Sequence, residues 1–202
     1  MVQNRGALII LSSNGQRMLG EIISVPLRGG RDYVHSTDLF ESLEELSNRN
    51  GGYISYIRFI NKIKNKFELK AEAAGNFSAE IVISYGNSDE RYFISEIDSP
   101  ITEFHNKPEI VNNDNLYIDG NNITIEKYIY ELSSFESIIF SAKEYLKSRF
   151  SEDYHVAQCT FLRQFDLKPP FDLILASKIG KACRFRIMCD GVSFGHIDAI
   201  GQ

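Results

Sequence analysis

The sequence predicts an α+β protein written as two copies of one small module, each a helix accompanied by antiparallel strands. Three observations predict it. Short blocks of similar residues recur in the same order in the two halves of the 202-residue chain. Each half holds one stretch with apolar residues at helical spacing. Each then continues into segments that alternate apolar and polar, with turn dipeptides between them.

The recurrence starts at the front. Asn14-Gly15 and Asp119-Gly120, both hairpin-type dipeptides, stand 105 positions apart. Tyr33-Val34-His35 followed by Phe40-Glu41-Ser42-Leu43 matches Tyr128-Ile129-Tyr130 followed by Phe135-Glu136-Ser137-Ile138, every pair 95 apart. The first copy therefore carries ten more residues between its turn and its Tyr-Val-His, and these include Pro26 and Gly29-Gly30. Further on, Phe67-Glu68-Leu69 lines up with Phe171-Asp172-Leu173, and Ala79 to Ile83 with Cys183 to Ile187, now 104 apart. The extra residues of the second copy fall in a loop region, where insertions are tolerated. The boundaries this implies are a first repeat over 1–98, a linker over 99–115 containing Pro100 and Pro108, and a second repeat over 116–202.

The helix of the second half is the clearest element. Phe135, Ile138, Ile139, Ala142 and Leu146 form one apolar stripe, and Ser133 or Ser134 stands ready as N-cap, so a helix is predicted over 134–150. In the first half Leu39, Phe40, Leu43 and Leu46 mark the same stripe. Ser36 or Thr37 caps it and Gly51-Gly52 ends it, which gives a shorter helix over 37–49. The strands follow: Ala79, Ile81, Ile83 and Tyr85 share one face, with Gly86-Asn87 turning the chain into 91–97. The counterpart is Cys183 to Cys189, a turn at Asp190-Gly191, then Val192 to Ile200.

Composition narrows the class. With 43% hydrophobic and 24% charged residues the chain is globular, and a net charge of -5 argues against sequence-independent nucleic-acid binding, which depends on neutralising phosphates. No apolar run near the start approaches the roughly 20 residues that cross a bilayer, or a signal-peptide core, so the expectation is a cytoplasmic protein without a membrane partner. Cys159, Cys183 and Cys189 lack metal-ligand spacing and read as reduced, packed thiols. No histidine pair has metal-ligand spacing, and neither glycine pair forms a phosphate-binding loop, so no metal and no cofactor are expected.

This order of elements resembles the hotdog fold, in which an antiparallel sheet wraps one long helix, and two copies in one chain look like a double hotdog: two such sheets, each around one central helix, related by a pseudo-two-fold. The stretch from Phe135 through Asp198 is similar to the C-terminal half of A-factor synthase-like hotdogs in helix, turn and strand order, with a looser similarity to acyl-carrier-protein dehydratases and acyl-CoA thioesterases. The dehydratase signature of His before Phe-Pro is absent, as is the thioesterase pattern of Asp before Gly-His. The resemblance implies action on an acyl thioester, bound to acyl carrier protein or CoA, in fatty-acid-like or secondary-metabolite biosynthesis, by dehydration, hydrolysis or acyl transfer. The alternative is a non-catalytic scaffold that binds an acyl chain or a partner protein. A weaker third reading is a different α+β repeat, such as a toxin-neutralising protein.

If the family logic holds, the loop before each helix carries the chemistry. His35 is the sharpest candidate, because an imidazole titrates near working pH and can pass a proton beside a thioester carbonyl. Its counterpart Tyr130, with Glu131, could polarise a carbonyl or orient the imidazole. Glu136, like Glu41, lies one residue after a core Phe and about 100° from the buried stripe, facing solvent or the seam between the halves, where desolvation would make it a base. Asp38 reads as first-turn helix chemistry only. His105 falls in the linker, His155 lies just past the second helix, and His196 alternates with Phe194 on a late strand. A basic cluster at Arg58, Lys62, Lys64 and Lys66, with Lys70, suits docking of an acidic acyl carrier protein or, more plainly, a lysine-protected strand edge. The assembly expected is a monomer or a homodimer of double hotdogs.

Overall fold

The computed structural model describes residues 18–73, 75–106, 116–127, 132–150 and 153–201. The chain divides into two compact units, and residues 55–58 are counted with the second.

The first unit contains strands β1 (Ile22–Ile23) and β2 (Leu27–Arg28), helix α1 (Ser36–Arg49), then β3 (Tyr53–Phe59), β4 (Asn65–Lys70), β5 (Ala79–Tyr85), β6 (Ser88–Pro100) and β7 (Phe104–His105). Helix α1 forms where the apolar stripe predicts it, and Leu39, Phe40, Leu43 and Leu46 are buried. It stops at Gly51, whose φ of 75° only glycine adopts without strain, and Gly52 N–H returns to Ser47 O at 2.9 Å. Gly52 must also be bare, because a Cβ there would lie 2.5 Å from the Tyr85 ring. Its main sheet runs β1-β4-β6-β5 and is antiparallel. Apart from it, β2 and β7 form a short parallel pair, tied by Leu27 N–H to Glu103 O and Gly29 N–H to His105 O, both 2.9 Å.

Part of the segment expected as linker is therefore structured. Strand β6 continues to Pro100 and β7 follows at 104–105, while 107–115 lie outside the described residues. The expected turn at Asn14-Gly15 also lies outside them.

In the second unit, β8 (Leu116–Asp119) and β9 (Asn122–Ile125) form a hairpin that turns at Gly120. Helix α2 (Ser134–Phe150) follows, then β10 (Tyr154–Phe161), β11 (Phe171–Ile179), β12 (Ala182–Cys189) and β13 (Val192–Gly201). The sheet order is β10-β13-β12-β11-β9-β8, with residues 56–58 beside β10. Ile57, Cys159, Ile197 and Phe185 stand side by side across four neighbouring strands, each fully buried. Helix α2 packs on this unit's sheet, and the Tyr145 ring meets Phe185 edge-on at 5.8 Å.

Each unit thus sets one helix with an antiparallel sheet, which fits a hotdog-like fold. The two units differ in strand order. In the second unit the turns Gly180-Lys181 and Asp190-Gly191 are two residues long, and Asp190 and Gly191 both have positive φ (52° and 74°), so β11, β12 and β13 must be successive neighbours. In the first, residues 71–78 separate β4 from β5, enough chain to pass over one strand. As a result β6 lies between them and pairs with both.

Gly195 on β13 has no room for a side chain: a Cβ there would lie 2.1 Å from the Thr160 carbonyl oxygen. Gly195→Ala should destabilise the protein by about 1–3 kcal/mol, as overpacking does. Chemical denaturation against the wild type measures it, and an unchanged midpoint would contradict this packing.

Candidate functional site

Helix α1 begins on a polar cluster. Its N-cap residue is His35, in extended conformation and without a side-chain cap bond. Thr37, one of the two expected caps, is otherwise employed. The Thr37 hydroxyl receives a bond from Arg28 Nη2 at 3.1 Å and lies 2.8 Å from His35 Nδ1. Asp38, treated in the sequence as helix chemistry alone, is the centre of the group. Arg28 grips its carboxylate with two bonds, Nε at 3.0 Å and Nη2 at 2.5 Å, and His105 Nε2 approaches Oδ2 at 3.3 Å.

The burial of these groups decides their importance. The side chain of Asp38 is 7% exposed, that of Arg28 17% and that of His105 20%. A carboxylate so far from water needs a counter-charge, and removing either member of such a pair typically costs roughly 3–5 kcal/mol. The parallel β2–β7 pair puts Arg28 and His105 next to each other. Nδ1 of His105 is buried without a hydrogen-bond partner.

Helix α2 meets the same problem differently. The Ser133 hydroxyl accepts the Glu136 N–H at 3.1 Å, and the Glu136 carboxylate accepts the Ser133 N–H at 3.3 Å. This is a capping box. Glu136, expected as a partner carboxylate, is 3% exposed and is placed in this reciprocal cap. Tyr130 and Glu131, the other expected site residues, lie outside the described residues.

The basic cluster is largely engaged. Lys64 pairs with Asp32 at 2.6 Å, Lys70 with Glu68 at 2.8 Å, and Lys62 lies over the Tyr33 ring at 4.6 Å. Arg58 belongs to the second unit. There a polar row crosses the sheet: Arg184 grips Asp198 at 2.6 and 2.8 Å, Gln158 Nε2 donates to Asp198 at 2.7 Å, and His196 stands two residues away on β13. Burial, with Arg184 second, lowers the His196 pKa. Among the described residues no group of three or more His, Cys, Asp or Glu could hold a metal ion, and no helix is long and apolar enough to cross a membrane.

Sequence reading missed Arg28, Asp38 and His105 as a group. Arg28 does fall inside the ten-residue insertion of the first copy, a signal that was available. His105 carried none, because its partner Asp38 is 67 residues away.

Two predictions come from these groups. Glu136→Gln should leave stability within about 0.5 kcal/mol, since glutamine closes a capping box equally, whereas Glu136→Ala should cost about 1 kcal/mol. Denaturant midpoints of the two variants check this. Separately, Glu21 is 4% exposed, its Oε2 is buried without a partner, and desolvation raises its pKa above 4.5, with Arg49 opposing. The unfolded chain ionises from about 4.5 upward while the folded one resists, so Glu21 takes away stability as pH rises through that window. Glu21→Gln should therefore be the more stable protein at pH 7, with the gap closing below about pH 4.5. Urea unfolding across that range measures it.

No family model matches the chain, and no curated protein does. Solved structures do match. The tesB protein of Mycobacterium avium subsp. paratuberculosis aligns over 94% of this chain and 95% of its own, at 6% identity and a TM-score of 0.45. An acyl-ACP thioesterase from Bacteroides thetaiotaomicron aligns over 86% and 92%, at 10% identity and 0.38. The acyl-CoA thioesterase II TesB2 of Mycobacterium marinum aligns over 84% and 90%, at 8% identity and 0.36. The chain is similar to these thioesterases at the level of pattern.

Proposed function

We propose that the protein hydrolyses acyl thioesters of CoA or of an acyl carrier protein, with His35 as the acid–base group. The observation that supports this reading is a partly buried imidazole at the start of α1, beside a buried guanidinium–carboxylate pair. The positive end of a helix favours the negative charge that gathers on a thioester oxygen under attack. The imidazole adds a group that exchanges protons near neutral pH.

Among the three reactions considered, hydrolysis asks least of the site. Water is its second substrate, and one imidazole can serve both attack and thiol departure. Dehydration needs an acid and a base at adjacent carbons, and acyl transfer needs a second acceptor site. Within this proposal Glu136 serves as a helix cap. Carrier docking is assigned to Lys62, Lys64 and Lys66, and the double-hotdog arrangement with its pseudo-two-fold belongs to the same reading.

One observation favours a non-catalytic scaffold instead: Arg28 and His105 both hold Asp38, a mutual satisfaction that suits a rigid support. The two readings separate on a panel of acyl-CoA esters and acyl carrier proteins followed by mass spectrometry. Turnover by the wild type supports hydrolysis, and binding without turnover supports the scaffold. His35→Ala should lower turnover at least a hundredfold while changing stability by less than about 1 kcal/mol, because the residue sits outside the core. Full turnover in His35→Ala would remove His35 from the mechanism.

A further inference from the structure

The geometry points to a binding site for a phosphate ester on the open face of the second unit's sheet, held by Arg186 and His196 with Arg184 beside them. The site needs the second unit alone, so it stands or falls apart from the thioester reading.

Alternation decides which side chains share that face. Ile57, Cys159, Phe185, Ile187 and Ile197 are fully buried on one side of the sheet. Successive side chains of a strand point to opposite faces, so Arg58, Arg184, Arg186, His196 and Asp198 stand on the other, and the three arginines are exposed there. The register sets Arg186 directly opposite His196 and Arg184 directly opposite Asp198. On the far side of His196 lie Thr160 of β10 and, beyond it, Tyr56. Arg184 and Arg186, two residues apart on β12, are separated by about 6.6 Å.

Charge then separates the engaged groups from the open ones. Asp198 is engaged three times: Arg184 holds it through Nε and Nη2 at 2.6 and 2.8 Å, and Gln158 donates to it at 2.7 Å. Asp172, the acid on the neighbouring strand β11, accepts the Thr124 hydroxyl at 2.6 Å. Arg186 is left without an acid, and among the described residues no hydrogen bond reaches its side chain or that of His196. The grip on Asp198 does not use Arg184 Nη1. Burial first, then Arg184, lowers the His196 pKa, with Asp198 opposing, so at neutral pH the ring is uncharged and carries one N–H. In a chain of net charge -5 this spot sets two guanidiniums and an imidazole against one acid.

The donors choose the anion. The fork of one guanidinium fills a planar carboxylate by itself. Here the Arg186 fork, the His196 N–H and Arg184 Nη1 come from two neighbouring strands, an arrangement that suits a tetrahedral group with three free oxygens. An anion seated there also favours a proton on His196, because an opposite charge nearby stabilises the imidazolium.

The test uses the full chain at about 0.15 M ionic strength, where charges more than about 8 Å away are largely screened. Phenyl phosphate, sulfate and acetate are titrated in turn while the His196 ring signals are followed by magnetic resonance, assigned by their loss in His196→Gln. Phenyl phosphate should bind saturably and move those signals, and acetate should bind at least about tenfold more weakly. Arg186→Gln should weaken phenyl phosphate by about tenfold or more, the loss of a charged hydrogen bond. Arg58→Gln lies three strand spacings, about 14 Å, from Arg186 and should change the affinity less than about twofold. Sulfate keeps its charge across this range, so it should bind more tightly as pH falls through the His196 titration, and in His196→Gln that rise should vanish. The inference is overturned by an absence of saturable binding, by equal losses in Arg186→Gln and Arg58→Gln, by acetate binding as tightly as phenyl phosphate, or by a sulfate affinity indifferent to pH. Should His196→Gln fail to fold, the two arginine variants, at exposed positions that tolerate substitution, decide it by themselves.

Discussion

A carboxylate seven per cent exposed at the start of α1 sets the terms for the rest of the first unit's polar architecture. Asp38 cannot stay charged there without a cation, and the chain supplies Arg28 from ten residues upstream. To deliver it, the segment around Pro26 and Gly29-Gly30 has to run back across the helix start, where β2 finds β7 as its parallel partner. That pairing in turn brings His105 to the same carboxylate from 67 residues downstream. One buried charge thus draws together a segment ten residues upstream and one 67 residues downstream, at a point where stranding either ion would cost several kcal/mol.

The two helices show how differently one backbone problem can be met. The first N–H groups of any helix lack partners within it. In α2 the Ser133–Glu136 box brings backbone N–H groups and side chains of the helix end together reciprocally. In α1 the residues that could do the same are diverted. His35 makes no cap bond, and the Thr37 hydroxyl lies between Arg28 and His35. The end of α1 is thereby left with its polar groups organised around an imidazole, which is why the functional proposal rests on the first unit.

What the sequence made legible is what short-range pattern can carry. The stripe Phe135, Ile138, Ile139, Ala142 and Leu146 located α2, and the alternation from Ala79 to Tyr85 located β5, because helix and strand periods are local properties. His35 was legible as a polar residue before a helix, but its neighbours were not. Asp38 looks like an ordinary first-turn acid until the structure shows it buried, and nothing in a linear string announces that residue 105 returns to residue 38. Glu136 is ambiguous for the opposite reason. Its position one residue past a core Phe suits a catalytic acid or a cap equally, and the Ser133 contact is visible only in the structure. The partners of exposed charges are equally silent in sequence: the lysines at 62, 64 and 70 appear as a patch there, and in the structure each also meets an acid or a ring.

The difference in strand order bears on how the two units are related. Two-residue turns leave β11, β12 and β13 no choice of neighbour, whereas eight residues between β4 and β5 allow β6 to take the place between them. The two orders are both antiparallel, and the length of one connection separates them. The matched blocks of sequence from Phe40 and Phe135 onward fall on the helices and strands, the parts that the core constrains. The unmatched ones, the insertion around Arg28 and the crossing loop, are the parts a core tolerates changing.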